Sequence, residues 1–470
     1  MGNSNGKFKR VLNSGDVLVT AFGAMIGWGW VVSSGDWITS AGVFGTVSGF
    51  LIGGLMIYFV GLAYAELTTA MPEAGGPTVF SGEAFGPIAS FSCGWIIILS
   101  YVGVVCFEAC SLPTVIQYIF PGFLRGYLYS VAGFDIYLTW LLLAVVSAIA
   151  ITAINIRGIR VAAALQKVLT IAIAAVGVTL AAVSAVNGDK GNLSANFSVV
   201  SSSLGELKST LAIAVVAPFY LFGFDIIPQV AEEINVPLKK LGILLICSIA
   251  LAVAFYALVV LAVGYGMSPS EIHNSMNSSG LVTADAMALL FHSDVMAKVL
   301  IIGGLCGIIT SWNSFLIGGS RALFSMAEHH MLPHAFSHLH TQYKTPSFAI
   351  VFVGVLSAAS VFGGRVMLVW ISNCASFACC LAYCIVSVSF LKLRQTQPNL
   401  SRPFRVKHYR LTGSLASALS GVMCVLYLIP GSGSTLVKQE LWITAGWMGI
   451  GVVLAFLCRR RYGKKFGLTD

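Results

Sequence analysis

Charged residues are scarce in this sequence, and that scarcity excludes most soluble proteins. Of its 470 residues only 10% are Asp, Glu, Lys or Arg, whereas 57% are hydrophobic. A soluble domain does not need that much apolar surface. Apolar runs of about 20 residues, the length that crosses a bilayer, recur about twelve times along the chain. The composition therefore predicts an all-α polytopic membrane protein of about twelve transmembrane helices, held in a lipid bilayer.

Several signals of other protein classes are also missing. The chain has no H-E-x-x-H, Walker A or dinucleotide fingerprint, so we expect no enzyme and no cofactor. Its 11 cysteines nearly all lie within apolar runs and none lies in a predicted outer loop, which argues against a disulfide framework or a metal site. Residues 1–14 are polar and basic, but the following apolar run is too long for a cleavable signal peptide.

Positive charge is distributed unevenly along the chain. Lys and Arg number 27 against 18 Asp and Glu, which gives a net charge of +9. If the N-terminus is cytoplasmic, all but six basic residues fall at or near cytoplasmic ends; the exceptions are Arg125, Lys190, Lys208, Lys298, Arg365 and Lys438. The positive-inside rule then places both termini in the cytoplasm of a cell (inner) membrane protein. No basic–aromatic patch indicates nucleic-acid binding.

Two glycine-rich segments interrupt long apolar runs. The first extends from Gly23 to Gly29 and the second from Phe222 to Asp225. Bare backbone in lipid costs several kcal/mol per group, so a helix breaks at membrane depth only where protein or a water-filled cavity supplies the missing hydrogen bonds. The freed helix ends offer partial charges to a small ion or zwitterion. The two breaks predict a carrier whose substrate site lies at the bilayer midplane.

Each break also has a plainer interpretation. Gly23 and Gly27 have the spacing of a helix-packing face of small residues. Asp225 is an ionisable residue in an apolar segment, which by default indicates a functional site. It can equally cap the inner half-helix by accepting backbone N–H bonds. The residues alone leave these alternatives open.

Further polar residues lie within the apolar spans. Glu108 in the third span suits a proton coupler, a counter-charge for a cationic substrate, or a protonated structural group. Thr310, Ser311 and Asn313 lie at the expected substrate depth in the eighth span. The two hydroxyls could help to form a sodium site, but hydroxyls also bond to the helix backbone. Sodium is therefore less expected than a proton or a counter-substrate.

Four stretches carry a family resemblance. They are the first break at residues 23–29, the loop with Ala65-Glu66-Leu67 and Met71-Pro72-Glu73-Ala74-Gly75-Gly76-Pro77, the second break with Ala231-Glu232-Glu233 after it, and Ser320-Arg321-Ala322-Leu323 with Met331-Leu332-Pro333. In order and position, over residues 15–410, they resemble the amino acid–polyamine–organocation permease superfamily. The motifs of the second break look closest to bacterial amino acid permeases related to cationic amino acid transporters.

The resemblance implies a particular organisation of the chain. Two inverted five-helix repeats would occupy residues 15–187 and 209–391, with helices 1 and 6 broken at the midplane. Residues 1–14 would form a cytoplasmic N-terminus and residues 459–470 a basic cytoplasmic tail. The peripheral helices 11 and 12, at residues 411–458, would be available for a homodimer.

The resemblance also implies a substrate site at the two breaks. Amides of Gly27, Trp28 and Gly29 would meet the substrate carboxylate, and nearby carbonyls would meet its amino group. Phe219 matches an aromatic lid, although plain packing is the other interpretation. The expected substrate-binding residues are Ala24, Met25, Ile26, Gly27, Trp28, Gly29, Glu108, Phe219, Phe222, Gly223, Asp225 and Asn313.

Coupling and gating are expected of four residues, Glu66, Glu108, Asp225 and Arg321. Arg321 lies at the inner end of the eighth span, where it would pair with Glu66, with another acid of the loop between spans two and three, or with the acids at 232 and 233. Such a pair would have to break when the carrier opens inward.

Two departures from the family pattern bear on the substrate. Trp28 stands where relatives usually have a small residue, so its indole either shrinks the pocket or wedges against a neighbouring helix. The lysine that some relatives carry in the middle of span 5 is missing there. Lys167 lies near the cytoplasmic end instead and suits an interfacial role.

The sequence thus predicts a secondary transporter that moves an amino acid by alternating access, through proton symport or amino acid exchange. The alternative is an organic amine or polyamine permease, with Glu108 and Asp225 supplying the negative charge. A nutrient receptor or accessory subunit that no longer transports is a third class, against which the intact breaks argue.

Overall fold

The computed structural model describes residues 8–120, 122–199, 202–364, 366–430 and 435–468. Helices dominate these segments, and ten of those described are long and apolar enough to cross a membrane. The helices of the first half are α1 (Ser14–Met25), α2 (Gly29–Val32), α3 (Ser34–Ala70), α4 (Pro77–Phe85), α5 (Pro87–Ile119), α6 (Leu138–Ile156), α7 (Ile159–Asn187) and α8 (Lys190–Asn196). Those of the second half are α9 (Ser203–Leu221), α10 (Ile226–Gln229), α11 (Leu238–Gly266), α12 (Pro269–Ser278), α13 (Val282–Phe291), α14 (Asp294–Glu328), α15 (Ser347–Ser360), α16 (Val366–Thr396), α17 (Tyr409–Leu428) and α18 (Lys438–Tyr462).

Both helix breaks occur where the sequence predicts them. The chain leaves α1 at Met25 and enters α2 at Gly29, and it leaves α9 at Leu221 and enters α10 at Ile226. The start of α1 is fixed by a capping box, in which the Asn13 side chain accepts from the Asp16 amide and the Asp16 carboxylate accepts from the Asn13 amide.

A bend inside α3 separates what the sequence predicts as the first and second spans. Gly42 has φ of 70° and ψ of 174°, which interrupts helical geometry within the 37 residues of α3. A Cβ at this position would lie 2.6 Å from the carbonyl oxygen of Phe197, so only glycine fits. The count of twelve spans and the inverted repeat stay predictions.

Three segments differ from the prediction of an all-α protein with open outer loops. A hairpin, β1 (Tyr127–Val131) and β2 (Phe134–Tyr137), lies between α5 and α6. Aromatic and branched residues favour these strands, and the positive φ of Ala132 and Gly133 makes the tight turn. Residues 266–291, predicted to be a solvent loop, form α12 and α13, and part of 187–208 forms α8.

The long helix α14 packs closely on the first break because two of its residues are glycines. A Cβ on Gly307 would lie 2.5 Å from the carbonyl oxygen of Gly27, and one on Gly304 would lie 2.2 Å from the Trp28 ring. Small residues let membrane helices approach backbone to backbone. The break is thereby held against α14 along its length.

Candidate functional site

A cavity of about 270 Å³ lies at the two helix breaks. Backbone and side chains of both breaks form its wall, together with residues from α5, α11, α14 and α16. Eight of the residues predicted to bind substrate line it: Ala24, Met25, Gly27, Trp28, Gly29, Glu108, Phe219 and Phe222. The cavity extends towards Val32 and Ser33, away from the N-terminal end of α1.

The first break presents backbone donors to this cavity. In the described part of the chain, the amides of Gly27, Trp28 and Gly29 donate to no backbone carbonyl. The carbonyl of Met25 accepts from the Tyr256 hydroxyl at 3.1 Å, which holds the end of α1 in place. Unpaired N–H groups beside a cavity are suited to an anionic ligand group such as a carboxylate.

The second break touches the first through Gly223. This residue has φ of 132°, and a Cβ on it would lie 2.9 Å from the Ala24 side chain and 3.0 Å from the Ala24 carbonyl carbon. Both the dihedral and the close approach require glycine. The two breaks are therefore packed backbone to backbone, which fixes the spacing of the groups that each exposes to the cavity.

Glu108 supplies the only carboxyl group among the described residues that line the cavity, and no Lys, Arg or His lines it. Its residue is 2% exposed, and its Oε1 lies 3.2 Å from the position of a Cβ on Gly27. Its Oε2 has no hydrogen-bond partner among the described residues. The site thus combines free backbone donors with one buried acid, an arrangement suited to a small molecule that carries both a carboxylate and an amine.

Aromatic side chains form much of the remaining wall. Trp28 lines the cavity, and its ring also lies against Gly304 of α14. The Phe219 ring lies 5.5 Å from that of Phe222 and 6.4 Å from that of Phe107, centroid to centroid. Phe219 therefore borders the cavity as a member of an aromatic cluster.

Sequence reasoning missed part of this wall, including Val104, Phe107, Tyr256, Phe315 and Val369. Spans that are apolar all round carry no periodic signal of which face turns inward. Glu108 was the available signal of which face of α5 turns towards the cavity, because residues three and four apart share a helix face. That rule points to Val104 but not to α11 or α16.

Four predicted substrate-binding residues, Ile26, Gly223, Asp225 and Asn313, lie outside the cavity lining. The buried Asp225 carboxylate accepts from the hydroxyls of Tyr101 at 2.7 Å and Tyr383 at 3.1 Å, and from the amide of Gly223 at 3.0 Å. It makes no side-chain bond to the first turn of α10, so the interpretation as a helix cap is wrong.

Asn313 belongs to a buried network of side-chain amides. It accepts from the Asn155 amide and donates to the Gln166 carbonyl oxygen, both at 2.9 Å. It also donates to the carbonyl of Ala162 at 3.2 Å. These bonds join α6, α7 and α14. They use the polar atoms of the Asn313 side chain, which does not line the cavity. The amide of Asn313 thus serves packing between helices.

A buried ion pair lies beside the second break and joins α14 to the turn that follows α10. The Arg321 Nε lies 2.8 Å from Glu233 Oε1, and the two side chains are 1% and 3% exposed. The backbone carbonyl of Glu233 also accepts from the amides of Val11 and Leu12. Of the acids that the sequence left open as partners of Arg321, the structure therefore pairs it with Glu233 and not with Glu66.

Glu66 has different partners. Its Oε2 accepts from Arg394 at 2.7 Å and from the Val406 amide at 2.7 Å, and its Oε1 lies 3.1 Å from Arg402 Nε. Of the pairings that the sequence left open, the one between Glu66 and Arg321 is therefore not present in this structure, and a gating role of Glu66 stays a prediction. The residue ties the C-terminal end of α3 to the segment between α16 and α17.

Comparison with known proteins places this arrangement in a family. A family model described as amino acid permease matches residues 13–454. The chain is similar to the branched-chain amino acid permease BcaP of Bacillus subtilis (strain 168), at 27% identity over 97% of this chain and 94% of the relative. It is also similar to the methylthioribose transporter of the same organism, at 24% identity over 96% of this chain and 94% of the relative.

A mammalian relative shows a similar likeness over a shorter region. The b(0,+)-type amino acid transporter 1 of Mus musculus is 23% identical over 75% of this chain and 69% of the relative. All three relatives are permeases or transporters, as the prediction of a transporter rather than an enzyme requires. The chain therefore belongs to the amino acid permease family, within the amino acid–polyamine–organocation superfamily to which its motifs pointed, and is a multi-pass membrane protein.

Proposed function

We propose that this protein is a secondary active transporter that moves an amino acid across the cell membrane by alternating access. One observation carries the proposal: Gly27, Trp28 and Gly29, whose amides donate to no backbone carbonyl in the described part of the chain, line a cavity together with Glu108. The named relatives, among them a branched-chain amino acid permease, support the same substrate class.

Backbone groups and one acidic side chain, Glu108, would bind the polar part of the substrate. The α-carboxylate accepts from the amides of Gly27, Trp28 and Gly29. The α-ammonium group lies between the carbonyls at the end of α1 and the Glu108 carboxylate. Hydrogen bonds to charged groups contribute about 1.5–3 kcal/mol each. Recognition at these positions leaves the substrate side chain to the rest of the cavity.

The substrate side chain would meet an apolar surface. Val104, Phe107, Phe315 and Val369 line the cavity beyond the breaks. No basic side chain among the described lining residues would pair with an acidic substrate side chain, and Glu108 would repel it. We therefore expect an amino acid with an apolar side chain.

Alternating access would open the side that Arg321 and Glu233 close. With both termini in the cytoplasm, the described conformation would be the one open towards the outside. The repeats at 15–187 and 209–391 would rock about the bound substrate, and the buried pair would have to separate for inward release. The homodimer through α17 and α18 stays a prediction.

The amine alternative is less well supported. It assigns the negative charge at the site to Glu108 and Asp225. Of these two residues, Glu108 lines the cavity and Asp225 does not. The Asp225 carboxylate instead accepts hydrogen bonds from Tyr101, Tyr383 and the Gly223 amide. An amine without a carboxylate would also leave the amides of the first break without a partner, which costs binding free energy.

Proton coupling through Glu108 gives the test of the transport proposal. Uptake of a labelled branched-chain amino acid into proteoliposomes is expected to rise as the external pH falls. In Glu108→Gln the amide keeps the size of the side chain but cannot exchange a proton, so uptake should become independent of pH. Glu83→Gln is the matched control, because Glu83 is exposed and is not among the residues that line the cavity.

A pH dependence that persists in Glu108→Gln would return Glu108 to a structural role, whereas wild-type uptake that does not change with pH would favour exchange. Exchange predicts that uptake requires unlabelled amino acid inside the vesicle. No uptake of any amino acid by the wild-type protein, under either an acid gradient or counter-substrate, would contradict the transport proposal itself.

A further inference from the structure

A second cavity, of about 410 Å³, lies where α16 ends and α17 begins. Its lining consists of Arg394, Arg405, Val406, Lys407 and Tyr409, and we call it the basic cavity. It is separate from the substrate cavity, with which it shares no lining residue. Both adjoining helices are candidate membrane spans, so the basic cavity lies at the end of the membrane-crossing region.

Among the described residues, the segment around the basic cavity carries more positive charge than the acids bonded to it neutralise. Residues 392–410 include six Lys and Arg and no Asp or Glu. Glu66 is the acid that reaches this segment from α3, and it is shared by Arg394 and Arg402 at 2.7 and 3.1 Å. One carboxylate thus faces two buried guanidinium groups, while Arg405 and Lys407 add further charge at the cavity wall.

Arg394 shows that the excess charge lies at the cavity itself. Its side chain is 6% exposed and its Nε has no hydrogen-bond partner among the described residues. The guanidinium carbon lies 5.0 Å from the Tyr409 ring centroid, which fixes the group at the cavity wall. A buried N–H of a charged group without an acceptor is costly, so the position calls for an anionic acceptor.

Arg402 behaves as a residue in an electropositive cluster. Burial lowers the pKa of its guanidinium group, and the charges of Arg394 and Arg405 lower it further, against the opposing effect of Glu66. Its Nη atoms are occupied by backbone carbonyls of the same segment, including those of Leu393 and Leu400. Arg402 therefore shapes the segment and leaves ligand contact to its neighbours.

The first turn of α17 adds backbone donors. His408 precedes this 20-residue helix and makes no side-chain capping bond to it. Uncapped amides at a helix N-terminus attract phosphate and carboxylate groups. The first turn of α17, the Arg394 side chain and the exposed Arg405 and Lys407 therefore border one cavity.

We propose that the basic cavity binds a phosphate-bearing anion, supplied by the headgroup of an anionic phospholipid or by a free phosphate. Arginine forks and helix amides are the groups that proteins use for phosphate. The location at the ends of two membrane spans suits a lipid headgroup, and basic pockets between such spans bind anionic headgroups in general. The bound phosphate would neutralise the positive charge at the basic cavity that Glu66 alone does not neutralise.

The test uses purified full-length protein and the double variant Arg405→Gln/Lys407→Gln, which changes two exposed cavity residues and leaves the buried ion cluster intact. The control Arg460→Gln/Lys464→Gln removes the same charge from the exposed end of α18. Thermal unfolding is compared in nanodiscs of phosphatidylcholine with and without phosphatidylglycerol, and in detergent with and without inorganic phosphate.

Wild-type protein and the control are expected to gain roughly 2–4 °C in unfolding midpoint from the anion, and the cavity variant to lose most of that gain. A gain from phosphatidylglycerol alone identifies lipid as the source, and a similar gain from inorganic phosphate identifies a free anion. Equal gains in the cavity variant and the wild type would overturn the proposal, as would no gain in the wild type. If the double variant does not fold, Lys407→Gln alone is read in the same way.

Discussion

Replacing Gly27 by Leu is expected to abolish substrate binding and uptake while leaving the protein in the membrane. A Cβ at this position would lie 3.2 Å from Glu108 Oε1 and 3.8 Å from the Ser311 Cβ. The remaining atoms of Leu would occupy the space in which the substrate carboxylate meets the amides. Losing even one such charge-assisted bond costs about 1.5–3 kcal/mol. We expect uptake to fall by roughly two orders of magnitude or more.

The matched control for this prediction is Gly446→Leu. A Cβ on Gly446 meets nothing within 4 Å, so Leu at that position of α18 should leave uptake and expression unchanged. Uptake and surface amount are measured together for both variants. If Gly27→Leu is expressed normally and takes up substrate as fast as the wild-type protein, the substrate does not bind at the first helix break.

The second large effect is expected at the buried ion pair of Arg321 and Glu233. Arg321→Gln removes the partner of a Glu233 side chain that is 3% exposed and leaves an uncompensated buried charge. Breaking a buried pair by removing one partner costs about 3–5 kcal/mol. We therefore expect a clear fall in the thermal unfolding midpoint of Arg321→Gln, and a shift of the transporter away from the conformation closed on this side.

The double variant Arg321→Gln/Glu233→Gln distinguishes pairing from a general effect of Arg321. Removing both charges should recover most of the lost stability, because no unpaired charge remains. Arg157→Gln, at an exposed position, serves as the control for loss of an arginine. Additive losses from the two single changes would show that the ion pair does not stabilise the closed side.

Local chemistry explains why the breaks could be predicted. Glycine runs inside apolar spans have few structural explanations, and both predicted segments are the places where helices end in the structure. The same reasoning assigned Asp225 to substrate or to a helix cap. Local reasoning could not identify the partners that hold this carboxylate, because Tyr101 and Tyr383 are 124 and 158 positions away in the chain.

The partners of Arg321 and Glu66 likewise come from distant parts of the sequence. Arg321 had several acids within plausible reach, and only the fold brings Glu233 against it at a sequence separation of 88. Glu66 lies 328 positions from Arg394, the residue it bonds. Charge alone could predict that such acids are paired, but not with which partner.

The outer segment 266–291 shows how composition can mislead. Its Ser, Asn and Gly content is typical of a solvent loop. The structure instead buries Ile272, Val282 and Met287 there, and Thr283 donates to the carbonyl of Trp30 at 2.9 Å. An apolar residue every few positions was the signal of α12 and α13. Helix α13 packs on α2, directly after the first break, and α12 packs on the start of α3.

The central claim is that backbone amides at the first break read a substrate carboxylate. The most direct test is thermal unfolding of the purified protein with a branched-chain amino acid and with its methyl ester, at matched concentration. A ligand that binds only the native state stabilises it by about 2.7 kcal/mol at 100 times its Kd. We predict that the amino acid raises the unfolding midpoint and that the ester does not. Equal stabilisation by the ester, or stabilisation by amines alone, would contradict this claim.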